Sequence, residues 1–346
     1  MRDLPFISIR LHGDIPARDC VTRAVLAEKA GFHAAWFAEN AFARGILPAA
    51  AACAVATERL EYRVGVFNPT SRHPTMMAME IGALDELANG RVGISIGAGI
   101  GAAVAKIGGD PKAPLGGIRD TVTILRGLLA GEEVEHDGRV YSAKGVRLEF
   151  PTRGDLPIFI AARGAQTLKY CGEAADGIIV SNMCSLDYSA KTARIVRDSE
   201  EAAKGTRNSA VVRYLPGCVN NDGRAARDGA KRMLRGLVPS FWRLSQRVSS
   251  AHEALFLGTG IAEEEFADAA RRLDEGEAPE TALSDRFVSA FAIAGTPEEW
   301  IEHSAAQKAA GISELAITFD ENTTDEDQLS LGAALAEHGG ATAAAG

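Results

Sequence analysis

The sequence predicts an α/β fold, a TIM-type (β/α)8 barrel with insertions. Two observations carry this: eight short apolar runs, and longer amphipathic segments between most of them. A third agrees with it, since several runs end in unusual loops that a barrel would gather at one mouth. A doubly wound sheet would normally need six strands, so eight favour a closed ring.

The runs come in order. FISIR (6–10) is the first strand, and Pro16 and Asp19 then open a helix that reaches Gly31. AAWFA (34–38) is the second, LEYRVGVF (60–67) the third and RVGISIG (91–97) the fourth. LPIFIA (156–161), DGIIVS (176–181), SAVVRYLPGCV (209–219) and ELAITFD (314–320) complete the count. Helical patterns lie between them, among others at 17–30, 74–88, 117–130, 165–174, 187–203 and 297–310. Two stretches exceed a minimal barrel. Residues 131–150 carry a DG turn between alternating runs, which reads as an inserted hairpin. Residues 221–292 hold too much helix for one crossover, so an extra helical segment is expected there. With no repeat and no linker, one domain over 1–337 is expected, and GGATAAAG at the end reads as a disordered tail over 338–346.

Composition narrows the function classes. Of 346 residues, 46% are hydrophobic and 24% charged, and the formal net charge is −9. A nucleic-acid or anionic-membrane binder needs a basic face, so neither partner is expected. A local anion site remains open, because one helix N-terminus and one arginine can build it. The five cysteines are scattered, without CxxC, as reduced thiols in a cytoplasmic protein would be. No secretory leader and no span-length apolar stretch is visible.

Four loops on the expected mouth could carry chemistry. AENAFARG (38–45) puts Glu39 and Asn40 at a strand end; a solvated helix-capping acid is the plainer alternative for Glu39. RVGVFNPTSRHP (63–74) crowds Asn68, Arg72 and His73 before a helix, where Arg72 and His73 could bind an anion, or His73 simply pack or cap the helix. ISIGAGIGAAVAKIGGD (94–110) contains Gly97, Gly99 and Ala102 in G-x-G-x-x-A spacing. That match falls at the fourth strand, and no acid-ending strand follows, so the dinucleotide reading is rejected. Glycines here would instead let a ligand ring approach the backbone. IAARGAQTLKYCGEAADG (160–177) sets Ala162, Arg163, Gly164 and Thr167 where a strand turns into a helix, a phosphate cradle. Zinc spacings (HxH, HExxH), GxxxxGK[ST] and GxSxG after a strand are all missing, so no metal is expected.

Together these loops resemble the luciferase-like family of flavin- and deazaflavin-dependent oxidoreductases. The nearest branch is the methylenetetrahydromethanopterin reductases, which use the deazaflavin F420. The likeness runs through AEKAGFHAAWFAEN, GVFNPTSRHPTMMAMEIGALDELANGRVGISIGAGIG, RGLLAGEEVEHDGRVYS, PIFIAARGAQTLKYCGEAADGIIVSN and AGTPEEWIEHSAAQKAAGISELAI. It implies a cofactor ring against a non-prolyl cis peptide at Gly65-Val66, with Phe67 and Asn68 beside it. Asn68 and the backbone of Gly97, Ala98 and Gly99 would meet the ring's polar edge. Arg163, Gly164 and Thr167 would hold the phosphate, and Asn182 and His73 would face substrate. Many members carry acid-His after strand two, whereas this chain has Glu39-Asn40, and an asparagine cannot transfer a proton. F420 is favoured over FMN, and Arg72, Lys106, Lys112, Lys169 and Arg213 could meet its anionic tail at the rim. The expected reaction is hydride transfer to a small unsaturated molecule, methylenetetrahydromethanopterin-like. The alternatives are an FMN-dependent monooxygenase fed by a flavin reductase, and a flavin-binding protein without catalysis. A homodimer is the assembly the resemblance implies.

Overall fold

The computed structural model describes residues 3–109 and 114–339. Its strands are β1 (Phe6–His12), β2 (Ala34–Ala38), β3 (Glu61–Phe67), β4 (Val92–Gly97), β5 (Val134–Asp137), β6 (Ser142–Val146), β7 (Ile158–Ala161), β8 (Gly177–Val180), β9 (Ala210–Val219), β10 (Ile293–Gly295) and β11 (Glu314–Phe319). Eight of them pair in parallel in the order β9-β11-β1-β2-β3-β4-β7-β8, and β8 closes back onto β9. This is the expected eight-stranded barrel. All eight expected runs are strands of it, each within three residues of the expected bounds.

Strand alternation divides the core in two. On β1, Ile7, Ile9 and Leu11 face outward and join the large layer between barrel and helices. Inside, Trp36, Phe159 and Tyr214 form an aromatic layer, with Val66 and Ala161 packed against it. Trp36 meets Phe159 and Tyr214 edge-on, at 5.0 and 5.7 Å between centroids. Below that layer the buried carboxylate of Glu314 accepts from Ser8 Oγ at 2.6 Å and Trp36 Nε1 at 2.5 Å. One buried acid thus ties β11 to β1 and β2.

Both insertions are present. β5 and β6 form an antiparallel hairpin, clamped to helix Pro114–Leu129 by Asp120. That carboxylate accepts from Val140 N at 2.6 Å and Tyr141 N at 3.1 Å, and pairs with His136 at 3.0 Å. Between β9 and β10 six helices build a second apolar cluster around Phe266, Phe287 and Phe291. β10 adds a ninth strand to the tail of β9, which the sequence reading did not foresee. Helix Ile46–Ala56 was not foreseen either: ILPAAAACAVA has no polar face to mark a period. The tail expected over 338–346 lies outside the described residues beyond Gly339. Among the described residues no helix is long and apolar enough to cross a membrane.

Candidate active site

At the C-terminal end of the barrel the loops after β2, β3 and β4 enclose a cavity of about 530 Å3. Glu39, Asn40, Val66, Asn68 and Gly99 line it, so five expected site residues share one space. Phe42, Ile100 and Ile107, strongly exposed apolar side chains, form its outer rim. Such side chains at a cavity edge suit an apolar ligand better than water.

The floor is set by backbone. The Gly65-Val66 peptide is cis, and Val66 packs against the interior aromatic layer. Gly65 has φ +135°, and a Cβ there would fall on the carbonyl and hydroxyl oxygens of Ser95. At Gly97 a Cβ would stand 2.5 Å from Val66 Cγ1 and 2.9 Å from the Ala161 carbonyl. Both positions therefore demand glycine, as closely approaching backbones do.

Glu39 sits between this cavity and a second one of about 450 Å3, which helices Ile46–Ala56 and Pro74–Leu87 line. Arg72 pairs with Glu39 at 3.6 Å and with Glu80 at 2.7 Å, and stacks over Phe67. Burial raises the Glu39 pKa, Arg72 opposes the shift, and Glu80 adds to it. Asn40 donates to Asp14 at 3.3 Å, and the same carboxylate oxygen meets His12 Nδ1 at 3.1 Å.

A third cavity, open and of about 790 Å3, fronts the expected phosphate cradle. Gly164, Ala165, Gln166 and Thr167 supply one wall, Arg119 and Arg139 the other. No side chain caps helix Ala165–Ala174, so its first N–H groups remain available to an anion.

Several expected residues lie elsewhere or are engaged within the protein. Arg163 does not line that cavity; its Nη2 donates to Ser181 Oγ at 2.5 Å and to the Asn182 carbonyl at 3.2 Å. Asn182 keeps its own Oδ1 buried without a partner. Phe67 is buried in the outer core. The Asn68 amide is spent locally: Oδ1 accepts from Thr70 N and Oγ1 at 2.7 and 2.6 Å, and Nδ2 donates to the Ala98 carbonyl. His73 caps its helix through Thr75 N at 3.2 Å and packs edge-on against Tyr141. Arg213 is no rim residue. It is fully buried, donating to Gln307, Cys184 O and Ala290 O, and burial lowers its pKa to about 10. Lys106 and Lys169 are exposed, and Lys106 lies over Phe42. Lys112 lies outside the described residues. Sequence reasoning missed Arg119 and Arg139, which only the fold brings to Gly164. It also missed Arg10 and His12, although alternation along β1 turns both inward.

The described residues contain no group of three or more His, Cys, Asp or Glu side chains placed to hold a metal ion. The family described as luciferase-like monooxygenase matches residues 3–314. A 5,10-methylenetetrahydromethanopterin reductase of Methanolobus tindarius is 26% identical over 80% of this chain and 82% of its own. An F420-dependent glucose-6-phosphate dehydrogenase of Beutenbergia cavernae is 32% identical over 48% of this chain and 53% of its own. The solved coenzyme F420 dependent tetrahydromethanopterin reductase from Methanopyrus kandleri superposes with a TM-score of 0.84. It is 21% identical and covers 97% of this chain and 99% of that one.

Proposed function

The chain belongs to the luciferase-like monooxygenase family, and from that premise we propose that it is an F420-dependent oxidoreductase. It moves hydride between the deazaflavin and a small unsaturated organic substrate, in the class of methylenetetrahydromethanopterin. The observation that carries this reading is the cavity at the barrel mouth that unites Glu39, Asn40, Val66, Asn68 and Gly99. The relatives named for F420 and methylenetetrahydromethanopterin support it.

The residues fit such a cofactor. A flat ring needs an apolar backing, which Val66 would supply where it lines the cavity, seated closely because Gly97 carries no Cβ against it. A phosphate needs free N–H groups and cations, which the uncapped start of the helix at Ala165 and Gln166, with Arg119 and Arg139 opposite and the Thr167 hydroxyl beside it, would supply. When bound, the deazaflavin supplies or accepts the hydride. The protein's share is positioning and proton handling. Val66 would back the ring, while Phe42, Ile100 and Ile107 would keep water from its edge. Glu39, its pKa raised by burial, would hold or release a proton closer to neutral pH than an exposed glutamate. Asn40, tied to Asp14, would orient rather than titrate. Arg163 would brace the substrate side through Ser181 and Asn182. One domain over 1–337, a homodimer and a cytoplasmic location are part of the same proposal.

Titration of the apo-protein with F420 and separately with FMN, followed by ring absorbance and fluorescence, tests the reading. Tighter binding of F420 supports it. Tighter binding of FMN moves the enzyme to oxygen-dependent chemistry with a partner flavin reductase. Binding of neither overturns it.

A further inference from the structure

We propose that Arg10 anchors the substrate, and that the substrate therefore carries a carboxylate. The inference rests on the reading of the barrel mouth given above and adds the class of molecule that it takes.

Arg10 lies on β1 between two outward residues, Ile9 and Leu11, and so points into the barrel. Its Cζ stands 4.8 Å from the centre of the Tyr214 ring. Its Nη1 donates to Thr318 Oγ1 at 3.3 Å, a long bond, and its Nε is buried without a partner. No carboxylate lies within 4 Å of it among the described residues. The interior acid Glu314 sits four residues before Thr318 on β11, about 13 Å along the strand. That acid is already taken by Ser8 and Trp36.

Even a partly buried arginine, as Arg10 is, is a costly way to fill the inside of a barrel, since a cation that loses water needs a counter-charge. A methionine or leucine would pack on Tyr214 without that cost. The guanidinium also offers five donors in a planar fork, of which Thr318 occupies one, and carboxylates match such a fork with two parallel bonds. Tyr214 belongs to the aromatic layer on which Val66 rests. Val66 in turn lines the mouth cavity, so an acid on the fork would lie against the layer that backs the cofactor. Burial also lowers the Arg10 pKa, opposed only by the Tyr214 phenol and by no carboxylate.

Matched acid and amide probes test this. Binding of benzoate and benzamide, and of acetate and acetamide, is measured on the F420-loaded protein by the change in cofactor fluorescence. Wild type should bind each acid at least tenfold more tightly than its amide. Arg10→Gln should abolish that preference while F420 affinity is unchanged, and Arg10→Lys should retain part of it. Equal binding of acid and amide by wild type, or binding of neither, overturns the proposal and leaves Arg10 as packing on Tyr214. So does an acid preference that survives in Arg10→Gln. The wild-type comparison decides even if the variants fail to fold. If wild type takes no F420, the cofactor reading fails separately, and the same pairs are read by thermal shift on the apo-protein.

Discussion

Glu39 and Arg72 stand 3.6 Å apart in the wall that separates two cavities at the barrel mouth. The pairing is too long and too wet to overcome burial, so the carboxyl's pKa is raised. A raised acid favours its protonated form in the fold. Its contribution to stability is complete below the ordinary glutamate value of about 4.3 and is lost as pH rises through the higher folded value.

Glu39→Gln should therefore flatten stability over that window, measured as urea midpoints against pH. In the active enzyme it should also remove one limb of the pH–rate profile. A variant whose midpoints follow the wild-type curve would show that another group titrates there.

Gly97→Ala should lower the melting temperature and weaken F420 binding, because the new methyl meets Val66 and the Ala161 carbonyl. Overpacking of this kind costs about 1–3 kcal/mol. Gly164→Ala is the control: its Cβ would meet nothing within 4 Å, and its melting point should not move. Equal effects of the two would refute the tight-floor account.

Asp120→Ala should detach the hairpin from its helix. Burial pushes this carboxyl up, but the N–H groups of Val140 and Tyr141 and the His136 ring together hold it below the usual range. Its contribution is present above the unfolded aspartate value, about 3.9, and is lost as pH falls through the lower folded value. Hydrogen bonds to a charged group contribute about 1.5–3 kcal/mol, so denaturant midpoints at pH 7 should fall accordingly, and the difference should shrink in acid.

Arg119→Ala and Arg139→Ala should each weaken F420 binding by about 1 kcal/mol, roughly fivefold in Kd. Arg163→Ala should weaken it less, since that fork is engaged with Ser181 and Asn182. The reverse order in cofactor titrations would return the phosphate to Arg163.

The barrel was legible because each barrel strand is a short, mostly apolar run bounded by turn residues, even where a charge such as Arg63 or Arg213 interrupts it. The loops of the mouth were legible by their glycines, as at Gly65 and Gly97, where backbone approach leaves no alternative residue. Side-chain direction was not. Arg163 read as a phosphate ligand and Arg213 as a rim cation, yet one braces the loop after β8 and the other caps carbonyls beneath the helical insertion. Those carbonyls, Cys184 and Ala290, lie 29 and 77 residues from Arg213 in the chain, beyond the reach of any local pattern. Arg10 was missed although its alternation was readable, because the expected strand stops at it and its partners Thr318 and Tyr214 come from β11 and β9, far along the chain.

The knot of Ser8, Trp36 and Glu314 sets a clock for synthesis. β1 pairs with β11 from Phe6 against Glu314, so the first strand made waits for the last. At ribosomal rates of 5–20 residues per second the interval is roughly 15–60 s. Throughout it the open edge of β1 and the Trp36 indole lack the acid that closes over them. A nascent chain halted before residue 314 would present that edge to chaperones, and a stop codon there would leave an unsealed sheet rather than a shortened enzyme.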